Sequence, residues 1–114
     1  MENIKVLFAC QWGMSSSLLA AKITSKGKER GLQIEVECLA AESALALDLS
    51  CFDLVLIGPQ VRFYTKKFEE KEEELGINIP IIPVDGFIYA TGDGEALLNI
   101  LLPEIEKSKG NANQ

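Results

Sequence analysis

Residues 4–19 read IKVLFACQWGMSSSLL, and this stretch decides the fold. It begins as a short apolar run rich in β-forming residues and passes through a Gly/Ser segment. It then continues as a helical pattern that includes Leu18, Leu19 and Ile23. A strand that runs through a Gly/Ser turn into a helix opens an alternating β-α arrangement. We therefore expect a parallel sheet whose first strand ends at Cys10.

The alternation of strand and helix signals continues along the chain. Residues 33–38 alternate with period two and predict a half-exposed edge strand, whereas residues 52–57 are almost continuously apolar and predict a central strand. Residues 77–84 contain two prolines, which only an edge strand tolerates. Helical patterns follow these strands over residues 40–49, 61–74 and 94–107. The sequence thus predicts an α/β fold: a four-stranded parallel sheet in the order 2-1-3-4, with helices on both faces.

Length and charge restrict the function classes. The chain has 114 residues, which fits one domain at residues 1–107 followed by a flexible polar tail at 108–114. With 11 basic and 17 acidic residues, the net charge of −6 disfavours nucleic acid and anionic lipid as partners. We find no apolar run long enough to span a membrane and no signal-peptide pattern. We therefore expect a cytoplasmic protein.

The sequence contains no histidine and three cysteines. The lack of histidine removes Ser-His-Asp and Cys-His catalysis, and the scattered cysteines do not have the spacing of a zinc site. No metal site is therefore expected. An odd number of cysteines fits reduced thiols. We interpret Cys38, which strand alternation turns inward, and Cys51 as structural residues.

The predicted sheet places a ligand site beyond the carboxyl ends of strands one and three, where the strand order reverses. The loops there are residues 10–17 and 58–60. Unpaired helix-start amides and three serine hydroxyls in the first loop suit a tetrahedral oxyanion, and the same field favours a thiolate at Cys10. We therefore expect a P-loop-like anion loop with Cys10 as nucleophile and Gln60 as an accessory residue. Asp85, after strand four, is interpreted as a turn residue.

Three functions agree with these residues. A Cys-x5-Arg loop would be the phosphate cradle of a tyrosine phosphatase, but Ser16 stands at the Arg position. Without that guanidinium the loop could accept a phosphoryl group on sulfur but is poorly equipped to hydrolyse it. A phosphoryl carrier is the first alternative. A relative of low-molecular-weight phosphatases or arsenate reductases, and a non-enzymatic regulatory module that binds an anion, are the others.

The motifs carry a family resemblance that spans residues 4–107. Cys10-x-x-Gly13-Met14-Ser15-Ser16-Ser17-Leu18-Leu19 after the first strand, with Gly58-Pro59-Gln60 after the third, resembles the enzyme IIB component of the bacterial sugar phosphotransferase system, in its lactose/cellobiose/chitobiose branch. Gln11 and Trp12 differ from the small residues usual in that family, which bears on partner choice and sugar class.

The resemblance implies a function for the first loop. Cys10 would accept a phosphoryl group from a phosphohistidine on enzyme IIA and transfer it to a cellobiose-, chitobiose- or lactose-type sugar. That sugar would be bound by the membrane component, enzyme IIC, which would recruit the protein to the inner face of the membrane. No cofactor is implied. The phosphoryl group would be held by the backbone amides of Gln11, Trp12, Gly13, Met14, Ser15, Ser16 and Ser17.

Overall fold

The computed structural model describes residues 2–11 and 17–112, with side chains from residue 3 to residue 108 of those ranges. The strands in these ranges are β1 Glu2–Cys10, β2 Leu32–Ala40, β3 Leu54–Ile57 and β4 Ile81–Pro83. The α-helices are α1 Ser17–Glu29, α2 Ala41–Leu45, α3 Thr65–Leu75, α4 Gly86–Thr91 and α5 Gly94–Ala112. Two 3-10 segments, Leu49–Cys51 and Pro59–Tyr64, precede β3 and α3.

The four strands form one parallel sheet in the order β2-β1-β3-β4, which confirms the predicted order. β1 pairs with β2 as far as Cys10 opposite Ala40, and with β3 as far as Ala9 opposite Ile57. The carboxyl ends of these three strands therefore lie side by side at one edge. β1 continues into α1 on one face of the sheet, while β3 continues into α3 on the other.

Each face of the sheet carries its own core because side chains alternate along the strands. On one face, α1 and α5 cover the even-numbered residues of β1. On the other face, α2 and α3 cover Leu7, Ala9 and the odd-numbered residues of β3. The buried side chains of the first core include Ile4, Val6, Phe8, Leu19, Ile23, Leu98 and Leu101. Those of the second include Leu7, Val55, Ile57, Val61 and Phe68.

The region after β3 differs from the single helix predicted over residues 61–74. A 3-10 segment comes first, and Val61 within it has non-helical dihedrals (φ −121°, ψ 26°). The α-helix begins only at Thr65. Val61 is buried in the core beneath the segment, so packing of its side chain decides the backbone there. The fourth strand is shorter than predicted and covers only Ile81–Pro83. Pro80 has no N–H to donate, and only its carbonyl oxygen takes part in pairing, where it accepts from Val55 N–H at 3.0 Å.

Two helices follow β4, of which the sequence predicted the second. Asp85 caps α4: its carboxylate accepts from the N–H of Phe87 at 2.9 Å and of Ile88 at 3.2 Å, which confirms its interpretation as a turn residue. Asp93 accepts from the N–H of Ala96 at 3.0 Å at the start of α5. That helix runs to Ala112 rather than ending near residue 107, so most of the segment expected to be a polar tail is helical.

Helix α1 is held against α5 at its middle and just beyond its carboxyl end. A Cβ at Gly94 would lie 2.7 Å from Lys22 Cβ and 2.9 Å from the Lys22 carbonyl carbon, so the two helices approach as closely as glycine allows. Just beyond the last residue of α1, Arg30 bonds the carboxylate of Glu95 and donates to Asn99 Oδ1 at 2.9 Å. Within the described ranges no helix is both long and apolar enough to cross a membrane.

Candidate active site

Cys10 is the last residue of β1 and is fully buried. Its thiol donates a hydrogen bond to the carbonyl oxygen of Leu39 in the neighbouring strand, with the sulfur 3.3 Å from the oxygen. A thiol in this position has its proton held by a defined acceptor. That proton must leave before the sulfur can act as a nucleophile.

Gly58 brings the end of β3 into contact with the backbone around Cys10. Its N–H donates to the Ala9 carbonyl oxygen at 2.8 Å. A Cβ at residue 58 would lie 3.3 Å from that oxygen, closer than most Cβ contacts, and 3.6 Å from Cys10 Cα, in ordinary contact. Glycine at this position therefore lets the loop after β3 reach the candidate nucleophile.

A groove of about 350 Å³ opens beside Cys10 at the carboxyl edge of the sheet. It brings together three predicted site residues, Cys10, Gln11 and Gln60, and the side chains of Gln11 and Gln60 are exposed. Ser17, a fourth, is the first residue of α1. The other predicted loop residues, Trp12, Gly13, Met14, Ser15 and Ser16, lie outside the described residues. The remaining groove residues are Ala40, Ala41, Glu42, Val61, Phe63 and Tyr64.

A carboxylate and a phenol form the polar wall of this groove. The Tyr64 hydroxyl donates to Glu42 Oε1 at 3.3 Å, and Lys67 Nζ lies 5.0 Å from the centroid of the Tyr64 ring. Desolvation and, after it, the neighbouring Glu42 carboxylate raise the pKa of the Tyr64 hydroxyl. Tyr64 therefore stays protonated and remains a donor to Glu42 at neutral pH.

Glu42 is a charged groove residue that the sequence did not predict. The register of β2 explains the position of Glu42: Ala40 pairs with Cys10, so the residues directly after Ala40 lie at the same edge of the sheet as Cys10. Other polar groups lie elsewhere: Asp85 is engaged at the start of α4, Cys38 is half-buried against a core, and Cys51 is exposed. Among the residues with described positions, no cluster of three or more His, Cys, Asp or Glu side chains could hold a metal ion.

Fold and site together define a class: a doubly wound parallel α/β protein with a cysteine at the switch point of its sheet and a groove opening beside it. The family model described as "PTS system, Lactose/Cellobiose specific IIB subunit" matches residues 5–99, which include Cys10 and Gln60. The chain belongs to this family of phosphotransferase components in sugar transport.

Known proteins agree with this family in sequence and in structure. The oligo-beta-mannoside-specific EIIB component of Bacillus subtilis (strain 168) is 32% identical over 91 residues, which cover 80% of this chain and 85% of the relative. The solution structure of the cellobiose-specific IIB component from Borrelia burgdorferi has a TM-score of 0.69 and 30% identity, covering 93% of this chain and 94% of that one. The lactose-specific IIB domain from Streptococcus pneumoniae, at 24% identity, shares the fold with a TM-score of 0.76 and covers 90% of this chain and 97% of its own.

Proposed function

We propose that Cys10 carries a phosphoryl group between two other proteins of a sugar phosphotransferase system. The donor is a phosphohistidine on enzyme IIA, and the acceptor is a hydroxyl of a sugar bound by the membrane component, enzyme IIC. The observation that carries the proposal is the position of Cys10: it ends the first strand, at the switch point of the sheet, beside an open groove.

In the first step the Cys10 sulfur attacks the phosphorus of the phosphohistidine. The P–N bond breaks, a P–S bond forms, and the thiol proton ends on the imidazole nitrogen that leaves. This chain contains no histidine, so the imidazole must come from a partner. The hydrogen bond from the thiol to the Leu39 carbonyl holds the sulfur in one orientation until that proton departs. Catalysis then rests on positioning of the reacting groups.

In the second step the sugar hydroxyl attacks the phosphorus on Cys10. The P–S bond breaks, the phosphoryl group passes to the sugar oxygen, and the hydroxyl proton returns to the sulfur. The Leu39 carbonyl can then accept the thiol hydrogen again. Because the sugar is held by enzyme IIC, this step takes place at the cytoplasmic face of the membrane, where IIC recruits this chain. The family description, which names lactose and cellobiose, favours a β-linked disaccharide as the sugar.

The phosphoryl oxygens need donors while the group resides on sulfur. We assign this role to the backbone amides from Gln11 to Ser17, because Ser17 begins α1 and the amino-terminal end of a helix dipole attracts anions. Gln60 is an accessory candidate, since its exposed amide lines the groove beside Cys10. Glu42, a carboxylate in the same groove, would repel a phosphoryl group placed against it.

Phosphorylation followed by peptide mapping tests this proposal. The protein is incubated with phosphoenolpyruvate, the general carrier proteins and enzyme IIA, and its peptides are analysed by mass spectrometry. The mass of one phosphoryl group is expected on the peptide that contains Cys10. Cys10→Ser should not acquire a transferable group, whereas the matched control Cys51→Ser, which replaces an exposed thiol, should be labelled like the parent.

Other outcomes identify the alternatives. Labelling at another residue, or sugar uptake that persists in Cys10→Ser, would contradict the proposal. Turnover of p-nitrophenyl phosphate would instead support the phosphatase class. No reaction in either assay would favour an anion-binding regulatory module. A transport assay with candidate membrane components would then identify the sugar.

A further inference from the structure

Helix α3 carries its charges in the order that destabilises a helix. Its first turn contains Lys66 and Lys67 and no acidic residue, while its last turn contains Glu73 and Glu74 and no basic residue. The helix macrodipole favours the opposite arrangement, with acidic residues at the start and basic residues at the end. Helix stability therefore does not explain why these lysines stand where they do.

The first turn of α3 adjoins the groove beside Cys10. Phe63 and Tyr64 line that groove, and α3 begins at the next residue. The Phe63 side chain is 70% exposed, although its ring lies only 4.8 Å from that of Tyr64. Aromatic residues are enriched in the interfaces between proteins, and this exposed ring lies next to a candidate nucleophile.

Three cations lie close to this exposed ring along the chain. Residues 61–67 contain Arg62, Lys66 and Lys67 and no acidic residue, in a chain whose net charge is −6. All three cations are exposed, and no ion pair engages Arg62 or Lys66 among the residues whose positions are described. An aromatic centre with arginine beside it is the composition of an interface hot spot, and unpaired cations around it match an anionic partner.

Of the two partners in the proposed function, the phosphoryl donor fits this surface better. The donor arrives with a dianionic phosphohistidine that must come to lie over Cys10. The cytoplasmic loops of a membrane component carry an excess of Lys and Arg, which this surface would repel. We propose that Arg62, Phe63, Lys66 and Lys67 form the docking surface for phosphorylated enzyme IIA. This inference rests on the proposed function, whose partner it locates on the molecule.

The rate of transfer from phosphorylated IIA to Cys10 tests the docking surface. Lys66→Glu and Phe63→Ala are each expected to lower the second-order rate constant about tenfold at low salt, and the parent rate constant should fall as salt is added. The rate at saturating IIA should stay within about twofold of the parent, because docking and not chemistry is changed. The matched control is Lys28→Glu, which makes the same charge change on an exposed residue of the last turn of α1, at the opposite edge of the sheet.

A second assay separates the two partners. Preformed phosphocysteine protein is mixed with membranes that contain IIC and sugar, and transfer to the sugar should be equal for Lys66→Glu and the parent. A loss in this assay, with transfer from IIA unchanged, would overturn the proposal by assigning the surface to the membrane component. Loss of binding to phosphatidylserine vesicles in Lys66→Glu, with transfer from IIA unchanged, would overturn it by assigning the surface to lipid.

The experiments distinguish failure of the docking proposal from failure of the proposed function. If both variants accept phosphoryl groups from IIA as fast as the parent, while labelling still depends on Cys10, the docking surface is wrong and the function stands. If the parent is never labelled at Cys10, the proposed function fails. The melting temperature of each variant is measured as well. Lys66→Glu should not lower it, because a carboxylate suits the first turn of a helix.

Discussion

Replacement of Gly58 by Ala should disturb both the stability of the sheet and the position of Cys10. The new Cβ would lie 3.3 Å from the Ala9 carbonyl oxygen, 3.6 Å from Cys10 Cα and 3.7 Å from Cys10 Cβ. Most of these atoms belong to the backbone of β1, which is bonded to β2 on one side and β3 on the other. The strand cannot swing aside as a flexible side chain would. A shift of a few tenths of an ångström is therefore forced on the end of β1.

The size of the effect follows from this geometry. Overpacking of this kind costs about 1–3 kcal/mol of the free energy of unfolding. An unfolding entropy of about 2.1 cal/mol/K per residue, over 114 residues, makes each kcal/mol equal to roughly 4 °C in melting temperature. We expect Gly58→Ala to melt about 4–12 °C below the parent. A displacement of 1 Å can cost about 100-fold in rate, so transfer to Cys10 should slow by roughly 4- to 10-fold.

Thermal melts and single-turnover transfer from phosphorylated IIA measure the two effects. The matched control is Gly86→Ala, at the first residue of α4, where an added Cβ meets no atom within 4 Å. This variant should melt no lower than the parent and transfer at the parent rate. If Gly58→Ala also behaves like the parent in both assays, the close approach of Gly58 to β1 does not position Cys10, and the reasoning is refuted.

Three other substitutions probe the fold and the site. Phe68→Ala removes a fully buried ring and should lower the free energy of unfolding, measured by urea titration, by about 3–5 kcal/mol. Phe87→Ala removes an exposed ring and should change that free energy by less than about 0.5 kcal/mol. Asp85→Ala loses the cap of α4, which should cost about 1 kcal/mol but leave the phosphorylation rate of Cys10 unchanged; a slower rate would show that Asp85 acts at the site. Desolvation raises the pKa of the Glu72 carboxyl group, and the neighbouring Glu69 carboxylate adds to this rise, although the hydrogen bond from Ile79 N–H acts in the opposite direction. Ionisation of Glu72 therefore opposes folding as the pH rises through that pKa. Glu72→Gln should therefore be more stable than the parent in melts at pH 7, and an advantage that does not shrink as the pH falls towards 4 would contradict this cause.

Much of the sheet could be predicted because burial leaves a direct pattern in the sequence. The continuous apolar run before Gly58 indicates a strand covered on both faces, and alternation before Cys38 indicates an edge. The prolines in the last strand indicate the other edge. Element boundaries depend on packing between distant residues and are less predictable. Val61 adopts non-helical dihedrals over a core that no local pattern reveals, and this delays α3 to Thr65.

Of the candidate site, the sequence could predict only the residues that directly follow or end a strand. Cys10 and Gln60 follow from strand order alone, since the switch point lies between β1 and β3. The bond from the thiol to Leu39 and the entry of Glu42 into the groove both depend on the register of β2 against β1. Register is a property of the pairing and not of either strand by itself. The exposure of Phe63 depends similarly on where the 3-10 segment directs its side chain.

The attachment of α1 to α5 has a consequence for the proposed carrier cycle, in which the protein must return to its starting state after each transfer. Cys10 ends a strand in the middle of the sheet, and Ser17 begins a helix that approaches Gly94 of α5 at Lys22 and is tied to α5 by Arg30 just beyond its last residue. Neither anchor can travel far. In the proposed cycle, arrival and departure of the dianion therefore leave these two anchors in place, and little reorganisation energy is spent on them. Such a carrier can load and unload repeatedly without rebuilding its scaffold.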